Sequence, residues 1–176
     1  MKNNIKTLMY ISNEDFYLMV YTTLIFLNKL IGKKSKSKTF KDHRKLFYII
    51  KLLSDYRLID LLIRYKDKKI NNPSDKEFLF DSFTKSELHK REVNKILKVM
   101  EKKGYINLEK TSNTEVYNIS LNEENLPTKL IEDDLFEDID KNSNSLKTNI
   151  RSLNIITLNT FIDKVYRDHG VNIWDL

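Results

Sequence analysis

The sequence predicts a mainly α protein with a small β-wing: a helical N-terminal half, a winged helix-turn-helix unit and a C-terminal helix. Three observations predict it. The 176-residue chain holds only three Gly and two Pro, which suits long helices with few tight turns. Apolar residues recur at the 3.6-residue helical period over several long stretches. Residues 91–121 run as helix, Gly, alternating segment, polar turn, alternating segment, the order of a recognition helix followed by a β-wing. An apolar content of 40% is enough to build a core.

Ser12-Asn13-Glu14-Asp15 has the spacing of a helix start, with Asp15 three residues after Ser12. The helix it opens runs to about Ile31 and stops at Gly32. Its uncharged stretch, Phe16 to Asn28, is thirteen residues, too short to span a bilayer. Acids before it, and no small-residue cleavage site after it, disfavour a signal peptide. This helix is apolar on most sides, so Tyr17, Tyr21 and Leu24 are expected to face a partner. After a polar KKSKSK connector, a second long helix begins near Asp42. Leu46, Ile49, Ile50 and Leu53 set its face, Ser54-Asp55 breaks or bends it, and Leu58, Leu61 and Leu62 continue it to about Tyr65. Asp55 and Asp60 read as surface pairs with Arg57 and Arg64.

KDKKINNPSDK reads as a loop. Glu77–Asp81 reads as a short strand, and Thr84-Lys85-Ser86-Glu87 as the capping box of a short helix. A longer helix spans about Arg91 to Lys103, with Val93, Ile96, Leu97 and Met100 as its buried stripe and Gly104 as its stop. Tyr105–Glu109 and Glu115–Leu121 alternate like strands around a polar turn. Past Pro127, Leu130, Ile131, Leu135, Phe136 and Ile139 line one side of a short acidic helix. Asn-Ser residues at 142–145 read as a linker. Leu158, Phe161, Ile162 and Val165 form one face of a last helix, Leu158 to Asp168, ended by Gly170. The corresponding division is a helical plus winged-helix domain at 1–121, an acidic and Asn-rich linker at 122–152, and a docking helix at 153–176.

The net charge of +6 is unevenly placed. Residues 33–45 hold Lys33, Lys34, Lys36, Lys38, Lys41, Arg44 and Lys45 against Asp42, whereas 123–140 hold eight acids against Lys129. A basic region can meet phosphate and an acidic one is repelled by it. On the long helix, Arg91, Asn94, Lys95, Lys98 and Lys102 point outward. Lys110 and Thr111 sit on the wing. Arg91 and Asn94 are the obvious base readers, too few for strong sequence specificity. Both basic regions fit DNA contact, and both fit an ordinary solvated face.

Little in the sequence suggests chemistry. The absence of Cys removes disulfides, thiolate zinc sites and a cysteine nucleophile, and fits a reducing, cytoplasmic compartment. Gly32, Gly104 and Gly170 cannot form a phosphate-cradling loop. His43, His89 and His169 lack metal-ligand spacing, and their charged neighbours predict exposure. Glu132-Asp133-Asp134 and Glu137-Asp138-Asp140 crowd one amphipathic segment with no calcium-loop pattern. No Gly-x-Ser-x-Gly elbow occurs. The expectation is a protein that is not an enzyme and needs no cofactor or metal.

Three segments occur in a telling order: DFYLMVYTTLIFLNKL, then KDHRKLFYIIKLLSDY with its D-x-R-K-L-x-Y-I-I pattern, then ELHKREVNKILKVMEKKGYINLEK. Across about residues 8–121 the chain resembles the middle component of bacterial three-component ABC-ATPase systems, including Lamassu defence systems. Asp42, Arg44 and Lys45 and the periodic apolar positions carry the resemblance; the acidic segment and last helix depart from it. The resemblance implies a winged-helix accessory subunit, similar to those of SMC complexes. Such a subunit bridges an SMC-like ATPase and an effector nuclease in an anti-phage or anti-plasmid hetero-oligomer, with non-specific DNA contact and no membrane. Tyr17, Tyr21, Leu24, Leu135, Phe136, Phe161, Val165 and Trp174 are then the partner-facing residues. Two other classes stay open. A stand-alone winged-helix regulator of transcription or replication would prefer its operator over random DNA. A nuclease would depend on Asp133 and Asp134.

Overall fold

Helix-breaking residues are so sparse that most of the backbone stays helical. The computed structural model describes residues 2–126 and 136–174, and among them the protein is mainly helical with one small antiparallel sheet. Helix α1 spans Lys2–Ile31. It begins well before Ser12, contrary to the capping-box expectation. An N-cap is worth about 1 kcal/mol, and with no Gly or Pro upstream an existing helix propagates through Ser12 at little cost. It ends at Gly32, where a Cβ would stand 2.3 Å from the Asn28 carbonyl oxygen. The Lys38 ammonium donates to the carbonyls of Gly32 (2.9 Å) and Lys33 (3.0 Å), satisfying acceptors left over beyond the helix end.

Strand β1, Thr39–Phe40, is too short to leave an alternation in the sequence. Asp42 follows with φ of 60°, so helix α2 starts at Lys45 rather than at Asp42 and runs to Leu53. Helix α3 covers Tyr56–Arg64. The expected break at Ser54-Asp55 is there, with the extended Asp55 accepting the Arg57 backbone N–H at 3.1 Å and binding its guanidinium at 2.7 Å. Arg64 reaches Asp75 at 3.8 Å rather than Asp60.

Residues 77–81, expected as a strand, lie within helix α4, Pro73–Leu88. Its start is Asn72, whose side chain accepts the Ser74 N–H, followed by Pro at the first helical position. The buried Leu79, Ser82, Phe83 and Ser86 follow an i, i+3, i+4, i+7 pattern; a five-residue apolar window is too short to distinguish that period from alternation. The proposed cap Thr84 is mid-helix, its hydroxyl bonded back to the Phe80 carbonyl at 3.2 Å. Helix α5, Lys90–Lys102, buries Val93, Ile96, Leu97 and Met100 as expected. Gly104, at φ of 75°, turns the chain out of it into strands β2, Ile106–Lys110, and β3, Tyr117–Leu121.

The three strands are ordered β1-β3-β2 and all pairs are antiparallel. Phe40 and Leu108 both stand opposite Ile119, and Lys110 stands opposite Tyr117 near the hairpin turn. Helix α6, Glu137–Asn149, replaces the linker expected at 142–145. It packs on α1 and α3, buries Ser143 and Leu146, and is tied by Asn142 to the Leu53 carbonyl (3.1 Å) and by Asp140 to Lys29 (2.7 Å). Polar composition marked a face, not a loop. Helix α7, Leu158–Ile162, continues as a π-turn over Asp163–Arg167, and Gly170 follows at φ of 80°.

One core joins all these elements. Phe161 and Val165, expected to dock on another polypeptide, are fully buried in it, as is Leu24. The C-terminal aromatic residues pack on this chain's own α2 and α4: Tyr48 lies 5.6 Å from Phe83, 6.3 Å from Phe161 and 6.1 Å from Tyr166 by ring centroids. No helix among the described residues is long and apolar enough to cross a membrane.

Candidate interaction surfaces

On α5 the 3.6-residue period separates two chemistries. Val93, Ile96, Leu97 and Met100 are buried, while Arg91, Lys95, Lys98 and Lys102 are all exposed. These four cations stand at i, i+4, i+7 and i+11, so they form one stripe opposite the core. Among the described residues none of them is in an ion pair. Lys90, by contrast, is held by Glu87 at 2.8 Å.

Asn94 departs from expectation. It is half-buried rather than facing fully outward as a base reader, and its side chain lies close enough to His43 to raise that ring's pKa somewhat. His43 is itself buried, contrary to its predicted exposure, and packs edge-on against Phe47 and Tyr117. Burial pushes its pKa below the usual histidine value, partly opposed by the nearby Asp42 charge. Its Nδ1 accepts the Tyr117 N–H at 3.1 Å, which requires that nitrogen to be unprotonated. His169 is also buried, with Nδ1 2.9 Å from the Lys68 carbonyl, while His89 is exposed.

The other basic region divides in two. Lys33, Lys34, Lys36 and Lys38 are exposed in the α1–β1 connection, although Lys38 is also engaged with the end of α1. The sheet order puts that connection beside β1 and the exit of α5 beside β2, on opposite edges. The second part turns inward. Asp42 binds the Arg44 guanidinium through two bonds of 2.9 and 2.8 Å, and its backbone N–H donates to Asn118 at 3.2 Å. These bonds hold the Asp42 carboxyl below its ordinary pKa against the opposing effect of burial.

Lys45 is fully buried. Its ammonium donates to the Leu153 (2.7 Å) and Ile156 (2.9 Å) carbonyls and lies 4.4 Å from the centre of the Phe40 ring. Burial lowers its pKa to about 7, with Asp42 acting in the opposite sense. Tyr48, one helical turn on, hydrogen-bonds Glu87 and so joins α2 to the end of α4. Sequence reasoning missed the burial of Lys45 and His43 and the bond between Tyr48 and Glu87. The usable signal was that Lys45 and Tyr48 flank Leu46, Ile49 and Ile50 on a short, almost wholly apolar helix with little room for a solvent face.

Of the residues expected to face partners, Tyr17 is 58% exposed and Trp174 is 49% exposed. Tyr17's neighbour Leu18 is exposed too. Trp174 packs on Phe83 at 4.9 Å and Phe80 at 6.2 Å. Tyr21 and Phe136 are half-buried against each other at 5.2 Å. Leu135, with Leu130, Ile131 and the acids at 132–134, lies outside the described residues. The wing residues Lys110 and Thr111 are exposed and half-buried respectively. No group of three or more His, Cys, Asp or Glu among the described residues is arranged to hold a metal ion.

Against known proteins, no family model matches the chain, no curated protein matches it, and no solved structure matches it.

Proposed function

We propose that this chain is a non-catalytic accessory subunit that bridges an SMC-like ABC ATPase and an effector nuclease in a defence complex, and that α4, α5 and the β2–β3 hairpin form a winged helix able to touch DNA without reading its sequence. The observation that carries the DNA-contacting part is the stripe of exposed cations, in no ion pair among the described residues, on the helix that leads directly into the hairpin. Support for a winged helix comes from the topology: a short strand before the helices pairs with the second hairpin strand, giving the order β1-β3-β2. The α4–α5 pair then stands where a helix-turn-helix would, with α5 as its second helix. Support for partner docking is narrower than the sequence suggests and rests on the exposed Tyr17, Leu18 and Trp174. The ATPase as partner follows from the resemblance in residues 8–121.

The half-buried Asn94 disfavours the alternative, a stand-alone regulator. With Asn94 half-buried beside His43, Arg91 is the remaining fully exposed base-reading candidate on the stripe, and operator selection by orders of magnitude needs several such contacts. Co-expression with the genes encoded beside it, followed by affinity purification, tests the accessory role. A coiled-coil ABC ATPase should elute in stoichiometric amount, and Tyr17→Asp with Leu18→Asp should release it. Elution of the chain alone, as a monomer, overturns the reading.

A further inference from the structure

We infer that α5 lies along the outside of one strand of a DNA duplex, meeting its phosphates with Arg91, Lys95, Lys98 and Lys102, and does not enter the major groove. The inference rests on the DNA contact proposed above and specifies its geometry.

The crest of the helix is a single line of cations. Its cations rise along the axis in steps of about 6, 4.5 and 6 Å, about 16 Å in all, within a narrow angular band. The shoulders do not match a groove. Glu92 projects about 100° to one side of Arg91 and Glu101 about 80° to the other, and both are exposed. Glu101 is held on its shoulder by the Leu108 backbone N–H, 3.2 Å away, on strand β2. Lys103, the C-cap, is exposed at the far end of the helix.

A helix with side chains is about 10–12 Å across, and the major groove is about 12 Å wide. A helix lodged there meets phosphates on both walls, so Glu92 and Glu101 would each face like charge. On the outer side of a single strand only the crest makes contact, and both acids stay in solvent. Base recognition is left to Arg91 alone, because Asn94 is half-buried beside His43. The crest carries no exposed aromatic ring; the exposed large apolar residue of α5 is Val99. Single strands are held largely by stacking on aromatic side chains, so the chemistry selects a duplex.

The test measures anisotropy of the full chain with two labelled DNA duplexes of unrelated sequence, a single strand and a duplex RNA, from 50 to 200 mM salt. The two DNA duplexes should bind within about threefold of each other and more tightly than the single strand or the RNA. Four phosphate contacts predict a log–log salt slope of about −3.6, or about a 150-fold loss over that range. Lys95→Ala and Lys98→Ala should each make the slope shallower by about 1. Because both acids stay in solvent, Glu92→Gln combined with Glu101→Gln should tighten binding to both duplexes by no more than about threefold, and guanine N7 atoms should stay reactive to dimethyl sulfate at saturation. Protected N7 atoms, a hundredfold preference for one sequence, tighter binding to the single strand or the RNA, or a gain of about tenfold or more from the double Gln variant overturns the inference. A duplex bound with protected N7 atoms leaves the proposed DNA contact standing and replaces this geometry with groove insertion. No duplex binding at 50 mM salt ends both, while the ATPase co-elution result is unaffected.

Discussion

Two stretches of this protein are about equally basic in sequence and have opposite fates. In residues 41–45 two of the three cations are tied into the fold while Lys41 stays exposed: Arg44 is clamped by Asp42, and Lys45 is sealed beneath backbone carbonyls and the Phe40 ring. In 91–102 four cations face solvent with no ionic partner among the described residues. The first stretch uses charge to fasten the 150–157 turn onto β1 and α2, helped by the Lys41 N–H bond to the Asn154 carbonyl at 2.7 Å. The second leaves charge available to a ligand. Counting Lys and Arg cannot separate these roles, because helical phase and neighbouring apolar residues decide which way each side chain points.

That contrast can be broken most forcefully at Lys45. Lys45→Ala leaves the Leu153 and Ile156 carbonyls without their donor and opens a cavity, so unfolding stability should fall by about 3 kcal/mol or more. Urea denaturation followed by circular dichroism measures this. A loss below about 1 kcal/mol would show that the fastening is dispensable.

The same residue predicts a pH signature. Its folded pKa is about 7 against an ordinary 10.5, so between those values the unfolded chain binds a proton that the folded chain does not. Stability relative to Lys45→Met should therefore rise by about 1 kcal/mol per pH unit from pH 7 towards 10, and the penalty should be fully present below pH 7. Matched urea titrations at pH 7 and pH 9 should give that difference; parallel curves would refute it.

A smaller effect is expected at His43. Its pKa is lowered on folding, so below about pH 6.5 the unfolded state takes up the proton first. Stability should decline from pH 7 to pH 5, and His43→Asn should flatten that decline. Smallest of all, Lys95→Ala or Lys98→Ala should change stability by no more than about 0.5 kcal/mol, a thermal melt being the check. A large loss there would mean that the crest supports the fold and would erase the contrast.

The same division separates what could be read in the chain from what could not. Helix α5, its buried face, its cation stripe and its exit at Gly104 were all legible, as were the hairpin and the break before α3. Each rests on local rules of period, capping and left-handed backbone. Helix α4 was misread because Phe78-Leu79-Phe80 is shorter than the window that distinguishes strand from helix. The 142–145 region was misread because Ser143 is buried by α1 and α3, contacts that composition does not encode. The partner assignment for Phe161 and Val165 failed for a related reason: an apolar face is visible in sequence, but its cover is not.

The sequence by itself determined a mainly helical chain, the phase of α5 and the separation of basic from acidic regions, because those properties depend on residues within a turn or two of each other. Tertiary structure alone decided that Lys45 and His43 would be buried, that Asn94 would lie half-buried beside His43, and that β1 would pair with β3. Each of those outcomes is set by groups some 50 to 110 positions away, and burial changes both the direction and the protonation of a side chain only once such distant groups have closed around it.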